Sequence, residues 1–132
     1  MTNTPRSLVR ARLRSELLSS VPMMDGGEAS AVLGSQDALS EHEAQARILR
    51  VAQAAEVLYP RFQFDIPRHR LHPAMLELMG MRTDNWGSHM ALLHWLTRPN
   101  RSLGGARPSD RLATDGDAIL RSFAAELAQP LT

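Results

Sequence analysis

Histidine can bind metals and move protons, so the five histidines are the first residues to weigh. His69 and His72 lie three residues apart, but in or beside a Pro-containing loop rather than on one helix face. His89 and His94 are five apart on a helical pattern, about 140° around the axis at roughly 100° per residue, so they do not share a face. No cysteine completes a zinc set, and Glu77 and Asp84 lack zinc-type spacing. The histidines therefore read as surface or capped groups, with no metal site. No serine sits in a Gly-x-Ser-x-Gly elbow. Gly104-Gly105 lacks the Lys-Ser/Thr of a phosphate loop, and the chain contains no lysine. The pairs Glu41/Glu43 and Asp115/Asp117 stand near helix starts, where they complement the helix dipole. These residues point away from an enzyme and imply no cofactor.

The stretch Trp95-Leu96-Thr97-Arg98-Pro99-Asn100-Arg101-Ser102-Leu103-Gly104-Gly105-Ala106-Arg107-Pro108-Ser109-Asp110-Arg111-Leu112 is different. Pro99 fixes φ, Asn100 suits a cap or turn, Gly104 and Gly105 permit positive φ, and Pro108 starts a new turn. Two readings fit. One is a tight connection between helices. The other is a rigid surface loop that carries Arg98, Arg101 and Arg107 to a partner, since Arg and Trp are favoured at binding hot spots.

The surrounding elements read as mainly helical. Leu8, Val9, Leu13, Leu17 and Leu18 recur at helix spacing until Val21-Pro22. A second helix is expected from an Asp25 cap to Gly34, followed by a polar turn over 35–39. Ser40, with Glu43 as a capping box, is expected to start a third, from Glu41 to about Arg47. That outline is a helix-turn-helix, but its second helix is acidic where a base-reading helix is usually neutral or basic, so it is a degenerate one. Residues 48–59 fit either a continuing helix or a small hairpin wing. Tyr59 to Asp65 alternates and should tuck Tyr59, Phe62 and Phe64 inward. Ile66 to Leu71 reads as a loop. His72-Pro73 opens a helix, Thr83 or Asp84 caps the next one through Trp86 to Leu96, and Asp115 precedes a last helix that Pro130 ends.

Composition sets the bounds. The 132 residues fit one domain or two very small ones, and 43% hydrophobic residues suffice for a core. A net charge of +1 does not by itself argue for nucleic acid. All 15 basic residues are arginine, a bias that a GC-rich genome produces without function. Arginine also suits bidentate contacts to phosphate or carboxylate. No apolar run approaches the roughly 20 residues of a membrane span, and no signal-peptide core is visible, so a cytoplasmic protein is expected.

Trp95 to Leu112 resembles the signature of the Xre/MbcA/ParS antitoxin toxin-binding domain: a Trp-Leu pair, Pro-Asn, Leu-Gly-Gly, a Pro and a closing Leu before a last helix. Tyr59 to Asp65 resembles the extended segment that precedes this domain in many members. The resemblance covers about residues 70–129. It implies a type II antitoxin, itself inactive, that neutralises a cognate toxin, usually a RES-domain enzyme that consumes NAD. It also implies an N-terminal region, 1–67, that binds promoter DNA and forms a homodimer, ahead of a helical toxin-binding domain, 68–132. Trp95, Pro99, Asn100, Gly104, Gly105 and Pro108 match the signature and should shape the binding site. Arg98, Arg101 and Arg107 are the expected direct contacts. For DNA, the expected residues are Gln45, Arg47 and Arg50, with Arg10 and Arg14 of the N-terminal arginine cluster on phosphates.

Overall fold

Pro22 has no amide hydrogen with which to extend a helix, and the first helix, α1 (Pro5–Ser20), stops just before it. The computed structural model describes residues 5–53, 55–82 and 88–128, and within them all side chains but those of 5–10 and 13. At the end of α1, Leu18 and Val21 are buried and Leu17 half-buried, so this end enters the core. Leu8, Val9 and Leu13 lie outside the described side chains.

The chain continues through β1 (Met23–Met24), α2 (Gly26–Leu33), α3 (Gln36–Ala44), β2 (Val51–Gln53) and β3 (Glu56–Pro60). β3 is the central strand of an antiparallel sheet ordered β1-β3-β2, with Met24 opposite Tyr59 and Val51 opposite Leu58. The hairpin alternative for residues 48–59 is therefore the observed one. A helix pair followed by a hairpin is the layout of a helix-turn-helix with a wing.

Local chemistry explains the helix boundaries. Asp25 caps α2, as expected, and the structure adds a capping box with Glu28. Gly34 closes α2 at φ 100°, a region favourable only to glycine. Ser35 then caps α3 at once, accepting the Ala38 amide at 3.0 Å. This corrects the expected start at Ser40, which lies inside α3. The Ser40/Glu43 capping box does not form because the Glu43 carboxylate is engaged elsewhere, by Arg50 at 2.6 Å and by the Tyr59 hydroxyl at 3.0 Å.

α3 ends in a Schellman arrangement, with Arg47 N–H on His42 C=O at 2.9 Å and Ala46 N–H on Glu43 C=O at 3.1 Å. The left-handed residue is Ala46, at φ 54°, where glycine is usual. Ala46→Gly removes the Cβ clash but adds freedom to the unfolded chain. The net expected effect is a stabilisation of about 0.5–1 kcal/mol. It would appear as a higher urea midpoint, and a lower one would overturn the strain argument.

After β3 come a 3-10 turn (Arg61–Gln63), β4 (Phe64–Asp65), a second 3-10 turn (Ile66–Arg68) and β5 (Arg70–Leu71). The expected loop at Ile66–Leu71 is thus ordered, because β5 returns against β4 with Phe64 opposite Leu71. Pro73 begins α4 (Pro73–Met81) at a position where its missing donor costs nothing. α5 (His89–Thr97) is capped by Ser88, which accepts the Ala91 amide at 3.2 Å. The caps expected at Thr83 or Asp84, and Trp86, lie outside the described residues. α6 (Gly116–Leu127) is the last element among the described residues, and the stop expected at Pro130 lies outside them. Close packing of α6 on α4 needs Gly116, where a Cβ would stand 2.9 Å from the Ala74 Cβ.

Two apolar clusters hold these elements. The larger joins Leu18, Val21, Leu49 and Val51 to Met75, Leu78, Leu92, Trp95, Ile119 and Phe123. The smaller joins Met24, Ala29, Leu39, Ile48, Tyr59 and Phe64 to Leu71. Each draws on both sides of the boundary expected at 67/68. The fold is mainly helical, with small antiparallel sheets.

Candidate protein-docking loop

The loop after α5 is built from inside outward. Trp95 is 3% exposed and meets Phe123 of α6 edge-on, with ring centroids 5.0 Å apart. Pro108 and Leu112 are also buried and fix the far end of the loop. Between these anchors, Asn100 organises the turn. Its Oδ1 accepts from the Ser102 amide at 2.9 Å and the Ser102 hydroxyl at 2.6 Å, and its Nδ2 donates to Ser122 Oγ at 3.1 Å. Ser122 and Ser102 hydroxyls lie 2.6 Å apart, closing a ring of hydrogen bonds from the loop to α6. The Asn100 amide donates to Ala106 C=O at 3.0 Å, and the Gly105 amide donates to Asn100 C=O at 2.9 Å. Gly104 and Gly105, at φ 66° and 88°, make that reversal affordable to the backbone.

The outside of the loop is basic. Arg98, Arg101 and Arg107 are exposed, as are Pro99, Gly104 and Gly105. Arg98 approaches Glu126 only at 3.9 Å, a surface pair of small energy. Arg101 and Arg107 form no ion pair among the described residues. The expected site residues thus divide. Trp95, Asn100 and Pro108 are structural anchors turned inward, and the arginines face solvent.

Three of the residues expected to touch DNA, Arg14, Gln45 and Arg50, make contacts within the chain. The Arg10 side chain lies outside the described set. Arg14 donates to the Ala52 carbonyl on β2. Gln45 bonds Glu41 at 3.3 Å, and Arg50 pairs with Glu43. Arg47 is half-buried, and its Nε has no hydrogen-bond partner. The exposed face of α3 presents Gln36, Asp37, Ser40 and Glu41, with no arginine on the helix.

No known family model matches this chain, and no curated protein matches it. Its fold is similar to that of the NMR structure of Rv2175c, with a TM-score of 0.65 over 80% of this chain and 81% of that one. Identity is 19%, so the likeness is one of fold alone. No group of three or more His, Asp or Glu able to hold a metal occurs among the described residues. None of the described helices is long and apolar enough to cross a membrane.

His89 is the residue whose role sequence reasoning missed. Its Nδ1 accepts the Arg50 amide at 3.0 Å, joining the residue before β2 to the first turn of α5. Local sequence carries no signal for this bond, because its partner is 39 positions away. The bond requires a neutral ring. Burial, then the nearby charge of Arg82, holds the His89 pKa below the usual imidazole range. Burial likewise lowers His42 and His72. For Asp65, burial alone would raise the carboxyl, but the Arg70 hydrogen bond and the Arg68 charge outweigh it, and the pKa falls.

The sign of the pH effect follows. Each of the three histidines takes up its proton more readily in the unfolded chain than in the folded one. Stability is therefore full above about 6.5 and falls as pH drops below it. Asp65 adds a further loss at lower pH, as its carboxylate is protonated. Melting temperature is expected to fall between pH about 7.5 and about 5.5. His89→Asn, which offers a carbonyl acceptor and does not titrate, should lose less over that interval. An unchanged slope in that variant would remove His89 from the explanation.

Proposed function

We propose that this chain is a binding protein of the antitoxin kind, which neutralises a cognate toxin by docking through the loop after α5. One observation carries the reading. The loop is pinned from within by Trp95, Asn100 and Pro108, while Arg101 and Arg107 stand exposed, with no ion pair among the described residues. Rigid presentation of unpaired guanidinium groups lowers the ordering cost of association. The resemblance of Trp95 to Leu112 to the Xre/MbcA/ParS signature names the partner class: a toxin, of the RES-domain, NAD-consuming kind. The chain itself is proposed to be cytoplasmic, dimeric and without catalytic activity.

Co-expression with the product of the adjacent gene tests this. A stable complex and relief of growth arrest are expected, and absence of any complex would overturn the reading. Arg101→Ala together with Arg107→Ala should weaken binding about tenfold or more, with an unchanged melting temperature. A double mutant that binds normally, or one that unfolds, would remove the arginines as contacts.

A second reading, a DNA-binding regulator, is favoured by the order of α2, α3 and the β2–β3 hairpin. The acidic residues on α3 weigh against it, because phosphate repels them. A promoter gel shift at low salt decides. A shifted band that fades steeply with added salt supports the regulator, and none at any salt discards it.

A further inference from the structure

We propose that the partner also inserts an apolar side chain flanked by a carboxylate into a groove between the end of α1, the first 3-10 turn and the docking loop. The proposal rests on the protein-docking reading above. The groove has a volume of about 420 Å³. Leu17, Phe62 and Ile66 line it and are each only half-buried, so apolar surface remains open to water. Phe62 stands out in its segment, because Tyr59 and Phe64 on either side are buried. The groove is thus of a size to take one apolar side chain of a partner on its floor, with polar groups at its rim.

The rim sets the chemistry of the occupant. Arg61 and Arg107 both line the groove, both are exposed, and neither forms an ion pair among the described residues. Among the described residues of the lining, the one acid is Asp110. Two guanidinium groups beside an apolar floor favour a carboxylate next to a large apolar side chain. A second copy of this chain, docked through the same groove about a two-fold axis, would bring these arginines to face their own kind. A nucleic-acid strand would leave the apolar floor unused. Arg107 is shared with the docking loop, so the groove extends that surface onto the segment from Arg61 to Ile66.

The experiment measures binding of the purified full chain to the adjacent gene's product by calorimetry. Arg61→Glu is expected to weaken binding about tenfold or more, and Arg61→Lys by less. Arg12→Glu, an exposed charge reversal on α1 outside both the groove lining and the docking loop, is expected to have a much smaller effect. Phe62→Leu, which keeps an apolar filler, should weaken binding with the melting temperature nearly retained. If wild type binds and Arg61→Glu binds equally well, the groove proposal fails and the docking-loop reading stands. Equal losses in Arg61→Glu and Arg12→Glu would mean general electrostatic attraction and would also overturn it. If the free chain is a dimer that Arg61→Glu dissociates, the groove is a self-interface and the proposal is wrong. If wild type forms no complex at all, the docking-loop reading falls and takes the groove proposal with it.

Discussion

Gln63→Leu is expected to destabilise the fold by about 3–5 kcal/mol, although leucine is apolar and the site is fully buried. Gln63 acts as a side-chain substitute for a strand partner. Its Oε1 accepts the Leu49 amide at 2.9 Å, and its Nε2 donates to the Leu49 carbonyl at 2.8 Å and to the Pro60 carbonyl at 3.2 Å. Leu49 is itself 0% exposed, so water cannot replace the glutamine. Leucine would leave one buried donor and two buried acceptors without these bonds, at a cost of about 1–3 kcal/mol for each unsatisfied group. Better apolar contact recovers part of that, which gives the stated range. Urea denaturation of the purified variant measures it, and a loss below about 1 kcal/mol would show that the backbone finds other partners. Gln63→Glu sharpens the test. A carboxylate still accepts from Leu49 but loses both donations and buries a charge, so its penalty should ease as the solution is made acidic and the carboxyl protonates.

Gln63 also shows where sequence reading reached its limit. From Phe62 to Asp65 the apolar–polar alternation assigns one face to Phe62 and Phe64 and turns Gln63 to the other. A 3-10 turn at Arg61–Gln63 breaks that period and rotates the glutamine into the core. The partner that holds it, Leu49, is 14 positions away and leaves no local mark. The start of α3 failed for a related reason. Ser40 carries the expected local pattern, but Ser35 caps the helix directly after Gly34 ends α2, and the distant partners Arg50 and Tyr59 hold Glu43. Signals that need no distant partner were legible. The Asp25 cap, Gly34, Pro73 at the first turn of α4, and the turn residues of the docking loop all act on the backbone near them. The burial of Trp95 was legible only as a choice between anchor and contact, because a tryptophan before a loop serves equally as either.

Trp95→Ala is therefore expected to act through the fold, with a loss of about 3–5 kcal/mol. The ring is 3% exposed and edge-on to Phe123, an arrangement that adds about 0.5–1.5 kcal/mol beyond burial. Removing it opens a cavity beneath the loop and frees the α5–α6 contact that Asn100 and Ser122 cross from above. In a domain of this size such a loss is a large fraction of total stability. Under the proposed docking role, partner binding should then fall together with the melting transition, whereas the Arg101 and Arg107 variants should lose binding at constant stability. Trp95→Phe, which keeps a ring against Phe123, should recover part of both. The cluster that contains Trp95 also contains Leu18, Val21, Leu49 and Val51. Unfolding of Trp95→Ala should accordingly be one cooperative transition that takes the N-terminal helices with it. Hydrogen exchange can separate the alternatives. Protection lost together across α2, α3 and α5 means one folding unit, and protection kept in α2 and α3 while α5 opens means that the winged half stands alone.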